Sequence, residues 1–212
     1  MPKVQAVTWL IRGLKPLMQN RPGIVGEIVA GGLTPRPTGA KNESPVAVAE
    51  AKLYRNEQGH FYFPSQGIWK GMVESCPGWK IGKVAASSML PPAVEPVSEE
   101  FLLCDPETLT AKRPRPLTVN DMVVDQRAGI GTDGRGREVM ITLVRPKWRR
   151  WGGVLIMDVD RDIILPSADN VITEILNRAG QRGIGSGRLR KPKGSSIWVG
   201  IRMGKFTAEL AQ

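Results

Sequence analysis

Residues 167–202 place the strongest constraint on this chain. "SADNVITEILNRAG" follows Pro166 and carries Val171 and Ile175, with Ile172, Leu176 and Ala179, at helical spacing behind a capping Ser167. Asp169 and Glu174 lie towards its N-terminal half, Arg178 lies in its last turn, and Gly180 fits the C′ position. "AGQRGIGSGRLRKPKGSS" (179–196) comes next, and "SSIWVGIR" (195–202) alternates Ile197, Val199 and Ile201 on one face, as a closing strand would. The glycine-rich loop therefore leaves a helix and enters a strand. Dinucleotide fingerprints and P-loops run the other way, from strand into helix, so that a helix N-terminus meets the phosphate. The C-terminal end of a helix dipole repels anions, which disfavours a nucleotide cofactor. An extended polyphosphate suits the loop better, because Arg182, Arg188, Arg190, Lys191 and Lys193 stand in it with no acidic residue among them. The competing reading is a plain helix-to-strand connection with a solvated basic tail.

The same order occurs earlier in the chain. Residues 4–12, "VQAVTWLIR", put Val7, Trp9 and Ile11 on one face of an opening strand. In "KLYRNEQGHFYFPSQGIWKGMVES" (52–75), "NEQG" is a turn between extended pieces at Leu53–Arg55 and Phe61–Phe63. Ser65 can cap a helix with Ile68 and Met72, and Trp69 and Val73, at i, i+4, and Pro77 and Gly78 stop it. Further strands are expected at "EEFLLC" (99–104), "MVVDQRAGI" (122–130), "EVMITLVR" (138–145) and "GGVLIMDV" (152–159), with "PKWRRW" interrupting the last two. Strand–helix–strand, twice, is the β-α-β-β-α-β order of an α+β, ferredoxin-like (RRM-like) core. The expectation is one domain over 1–212, with insertions at about 20–50 and 77–120 and a hairpin arm at about 138–159.

Charge narrows the partners. Thirty Lys and Arg against twenty Asp and Glu give +10, which favours contact with polyanions, nucleic acid or an anionic membrane surface, over a merely solvated basic surface. No apolar run has the length of a membrane span and no secretory signal opens the chain, so a cytoplasmic, membrane-independent protein is expected. Cys76 and Cys104 lack metal-ligand spacing and read as spectator thiols, and the single His60 cannot build a multi-histidine metal site. Asp158, Asp160 and Asp162 alternate in "DVDRD", which reads as a strand edge or turn more than a metal site. Neither a metal nor another cofactor is expected.

A second basic site is "RPKWRRW". Arg145, Lys147, Arg149 and Arg150 alternate with Trp148 and Trp151, a pattern that offers stacking surfaces beside phosphate clamps for a single strand. Cation–π pairing within a hairpin would explain the same residues structurally. The knot "AKRPRP", with Lys112, Arg113 and Arg115, and also Arg127, would extend the track.

Two of these segments together resemble a family. "LYRNEQGHFYFPSQGIWKGM" has the turn, aromatic strand, Pro-Ser and glycine-containing helix found around the first helix of the repeat-associated mysterious proteins, the RAMP superfamily of CRISPR systems. "AGQRGIGSGR" resembles that superfamily's glycine-rich loop before the last strand, and "VTWLIRGLKPLMQN" resembles its first strand and following loop. The resemblance implies that Gly183, Gly185, Gly187 and Arg188 lie near RNA and that Lys70 on the first helix meets a phosphate. Its long loops are similar to those of backbone subunits, which polymerise along a guide RNA with a hairpin arm reaching the next copy. The loop departs from the pattern by ending in "RLRKPK", and the first long loop holds Glu27, Glu43 and Glu50 but no aspartate, so no target-cleaving residue is carried over.

The resemblance thus implies a non-catalytic RNA-binding subunit of an oligomeric antiviral ribonucleoprotein. Its partners would be a guide RNA, complementary target nucleic acid, other copies and other effector subunits. Two alternatives stay open: a metal-independent RNA-processing endoribonuclease using His60 as an acid–base group, and a mobile-element protein that binds or anneals single-stranded DNA.

Overall fold

Alternating apolar residues make Val4–Gly13 the organising strand, with Val7, Trp9 and Ile11 buried on one face and Thr8, Leu10 and Arg12 half-exposed on the other. The computed structural model describes residues 3–21, 28–29, 32–33, 44–132, 137–186, 188 and 202–211. Val4–Gly13 pairs antiparallel with Gly152–Asp160, Trp9 opposite Leu155, and on its other side with Phe206–Leu210, Ile11 opposite Ala208. Val94–Pro96 joins the far side of Gly152–Asp160, also antiparallel. The sheet therefore reads Phe206–Leu210, Val4–Gly13, Gly152–Asp160, Val94–Pro96.

Two long helices cover the buried face. Ser65–Ser75 buries Ile68 and Met72, and Asp169–Arg182 buries Ile172, Ile175, Leu176 and Ala179. They approach closely at Gly71, where an added Cβ would lie 3.9 Å from the Cβ of Ala179. Indole donors tie both helices to the sheet: Trp9 Nε1 donates to Thr173 Oγ1 at 2.8 Å, and Trp69 Nε1 donates to the Val94 carbonyl at 2.6 Å. Asn177 completes the outer strand, its Nδ2 donating to the Ala208 carbonyl at 3.0 Å and its Oδ1 accepting the Ala208 amide at 2.8 Å. The result is a mixed α+β fold with several antiparallel sheets.

Several boundaries differ from the sequence expectation, each for a visible reason. Ser167 does not cap the second helix; Pro166–Ala168 forms a 3-10 turn and the helix begins at Asp169. Gly180 lies inside that helix, where a Cβ would strike the Phe206 carbonyl, and the helix ends at Gly183 with φ 81°. Ser65 is the buried first residue of its helix, its amide donating to Glu99 at 2.9 Å in place of side-chain capping. Pro146 does not interrupt its strand, which runs from Glu138 to Trp148.

That strand pairs with Met122–Thr132 as a long hairpin, its base fastened by Leu17–Met18. The arm is thus 122–148, and Gly152–Asp160, which the expected arm at 138–159 included, belongs to the main sheet. Residues 77–120 do more than form an insertion, since they supply the edge strand Val94–Pro96 and the strand Glu100–Leu102, which pairs with Tyr62–Pro64. Most of 20–50 and the expected strand around Ile197, Val199 and Ile201 lie outside the described residues; Phe206–Leu210 takes the place beside Val4–Gly13. Among the described residues no helix is long and apolar enough to cross a membrane.

Candidate nucleic-acid interface

Strand alternation decides what "RPKWRRW" presents. Arg145 and Lys147 fall on one face of the arm, and Pro146 and Trp148 fall on the other, which turns inward. Trp148 is fully buried with its ring 5.0 Å from that of Phe61. Trp151 is also fully buried, its Nε1 donating to the Lys15 carbonyl at 2.8 Å and its ring edge-on to Phe206. Both tryptophans are core residues, so neither is free to stack a base. Burying two large rings beside the arm's base gains more than exposing them would.

The arm's outer face carries Arg127, Arg145 and Lys147 around one carboxylate. Asp125 stands opposite Arg145 in register, and its carboxylate is met by Arg127 at 2.7 Å and Lys147 at 2.8 Å. Burial opposes ionisation of Asp125, but the hydrogen bonds from Arg127 and Lys147 outweigh it and hold its pKa below the usual value. Three cations against one anion leave this face positive. Nearby, Lys52 donates from Nζ to the Val144 carbonyl at 2.7 Å, and burial, aided by Arg145, lowers its pKa.

The knot at 111–116 and the turn after the arm are neighbours. Cys104 and Gly152 exchange backbone hydrogen bonds at 2.8 and 2.9 Å, and Arg150 pairs with Glu107. Arg115 is held by Asp105 at 3.0 Å and Asp121 at 3.2 Å, and the hydrogen bonds to both carboxylates raise its pKa. Lys112, Arg113 and Arg149 are exposed, and among the described residues they make no ion pair. Their charged groups are open to an external anion. Arg55 and His60 line an open cleft of about 540 Å³ that continues this surface past Arg115 to Val119.

Among the described residues, the loop's glycines pack against the protein's own backbone. Gly183 and Gly185 have φ of 81° and 74°, and a Cβ on either would strike a backbone carbonyl, of Met203 and Met18 respectively. The amides of Gly183, Ile184 and Ser186 donate to the carbonyls of Ala179 (3.1 Å), Gly204 (3.0 Å) and Met18 (2.8 Å). Those amides are spent inside the protein, and the glycines allow the loop to seat against the chain leaving the first strand. Arg182 ties the two long helices together, donating to the Glu74 carbonyl at 3.0 Å and its carboxylate at 3.4 Å. Arg188 is half-buried beyond Ser186, and Lys70 is exposed on the first long helix. Gly187, Arg190, Lys191 and Lys193 lie outside the described residues.

The open face of the main sheet offers no stacking platform. Leu10, Val154 and Ile156 occupy its centre, Glu95, Asp158 and Glu209 stand around them, and none of its residues is aromatic. Elsewhere, the Asp162 amide donates to Asp160 at 2.9 Å and Asp162 accepts the Lys3 amide at 3.2 Å, so "DVDRD" closes a turn. Both cysteines are buried and free; burial raises their pKa values, that of Cys104 to about 11. Residues that composition did not single out complete the frame: Arg161 and Asp169 form a buried bidentate pair at 2.7 and 2.9 Å that fixes the start of the second long helix. No protein-family model and no curated protein sequence matches the chain.

Proposed function

We propose that the chain is a non-catalytic RNA-binding subunit of the RAMP kind, one that holds the backbone of a guide RNA in a CRISPR effector complex. The observation that carries this reading is the sheet order. In chain order its strands lie fourth, first, third, second, all antiparallel, with one long helix after the first strand and another after the third. This order supports the reading of a ferredoxin-like core, and the long hairpin lies between the second and third strands of the sheet. A net charge of +10 and the exposed cations Lys112, Arg113 and Arg149, which make no ion pair among the described residues, support a polyanionic ligand. The apolar and acidic open sheet argues that the strand runs over the basic loops and arm, not across the sheet as in an RRM.

Extraction of nucleic acid from the purified protein tests the reading. Co-purified RNA of uniform length supports it, and protein free of nucleic acid that also ignores added RNA contradicts it. An RNA-processing endoribonuclease is the second reading, favoured by the position of the single histidine in an open cleft between Arg55 and Arg115. Repeat-hairpin cleavage that disappears in His60→Ala would establish it over the first. A single-stranded DNA partner would be revealed by equal or tighter binding of DNA than of RNA of the same sequence.

A further inference from the structure

We propose that the cleft between the Arg55–Phe61 hairpin and the Arg115–Val119 segment holds one nucleotide of the bound strand. The inference rests on the nucleic-acid reading above and assigns it a specific contact.

Both walls are fixed by backbone bonds. Arg55 faces Phe61 in an antiparallel bridge, the Leu103 amide donates to the Phe61 carbonyl at 2.9 Å, and the Leu117 amide donates to the Leu103 carbonyl at 2.9 Å. At the hairpin tip the His60 amide donates to Asn56 Oδ1 at 2.9 Å, and the Asn56 amide donates to the His60 carbonyl at 3.0 Å. The cleft is therefore formed before anything enters it. Its volume, about 540 Å³, is ample for one nucleotide.

The lining selects the ligand class. Val119, 39 % exposed, offers apolar surface with the buried Phe61 and Leu117 behind it, which a bare phosphate does not need and a base does. Arg55 and His60 are flat, partly exposed groups of the two kinds on which unpaired bases stack. Arg55 is already aligned over the Phe61 ring, 4.9 Å from its centroid, and among the described residues it makes no ion pair. Its charge is thus available to the phosphate of the same nucleotide. Arg115 is matched by Asp105 and Asp121 and frames the wall without adding net positive charge. Beyond that wall lie Lys112 and Arg113, where neighbouring phosphates of a strand would run.

His60 is the only histidine of the chain, so its ring resonance reports on the cleft without ambiguity. The full chain is titrated with uridine and adenosine monophosphates, with inorganic phosphate and with single-stranded oligouridine, while fluorescence anisotropy follows the oligonucleotide independently. The expected result is a saturable His60 shift with both mononucleotides and with oligouridine, and none with phosphate at equal concentration. Arg55→Ala should weaken mononucleotide binding about tenfold, as loss of one charge-assisted contact would. Val119→Glu, at an exposed wall position, should do the same through charge, and the two variants guard against a folding defect in either. Oligouridine binding seen by anisotropy with an unmoved His60 overturns the cleft assignment and leaves the proposed function standing. A mononucleotide response without strand binding overturns its assignment to a strand. No binding by either readout overturns both.

Discussion

The Gly13 amide donates to the Trp151 carbonyl at 2.8 Å, and the Trp151 indole occupies the space a Gly13 Cβ would need. This pairing joins the end of the opening strand to the turn that follows the arm. It also explains why a tryptophan that directly follows two arginines is a core residue. Trp151→Ala should destabilise the fold by about 3–5 kcal/mol, and Gly13→Ala by about 1–3 kcal/mol through overpacking. Urea unfolding measures both. A Trp151→Ala protein of unchanged stability with weakened RNA binding would return the ring to the surface.

Arg161 and Asp169 make a different demand. Their side chains are almost fully buried, so removing one leaves the other charged and unpaired. Asp169→Ala should cost about 3–5 kcal/mol, while Arg161→Met combined with Asp169→Leu should cost much less. A double-mutant cycle reads the coupling. Near-additive losses would show that the pair is solvated.

The opening strand and both long helices could be read from the chain because their apolar periods match their buried faces: Val7, Trp9 and Ile11 in one, Ile68 and Met72 in another, Ile172 through Ala179 in the third. Val94–Pro96 could not. Three residues ending in proline, after a helix containing Pro91 and Pro92, carry no period, and only pairing with Gly152–Asp160 makes them a strand. The site was legible in part. Arg149 and Arg113 are exposed as their local pattern suggests, but the inward turn of Trp148 depends on the arm's register. Gly183 and Gly185 signalled close approach correctly as residues, yet what approaches is the protein's own carbonyls. Glycine composition alone does not distinguish a ligand's backbone from the chain's own.

Acid should loosen the basic surface before it unfolds the core. The Asp121 pKa is lowered chiefly by the hydrogen bond from Arg115, and that of Asp105 chiefly by the Glu107 amide with Arg115 assisting. Asp125 is depressed as well. A carboxyl whose folded pKa is depressed stabilises the fold fully above its unfolded value, about 3.9, and loses that contribution as pH falls through the folded value. Stability should therefore drop below about pH 4. Asp125→Asn should lower stability near neutrality and flatten that drop. An identical acid limb in the variant would show that Asp125 carries no linkage.

Charge placement predicts which substitutions affect binding alone. Arg149→Glu and Arg113→Glu alter exposed residues that make no ion pair among the described residues, so each should leave unfolding nearly unchanged and weaken single-strand binding. Arg188→Glu with Arg190→Glu tests the tail of the glycine loop in the same way. Each lost phosphate contact should reduce the salt slope by about 0.7 for a single strand.

The most direct test of the central claim is the affinity of the purified chain for RNA and DNA single strands of one sequence, measured across a salt series. The account predicts that log affinity falls linearly with log salt, that RNA binds more tightly than DNA, and that Arg149→Glu and Arg113→Glu make the slope shallower. Binding that is absent, or that is indifferent to salt and to these substitutions, would contradict it.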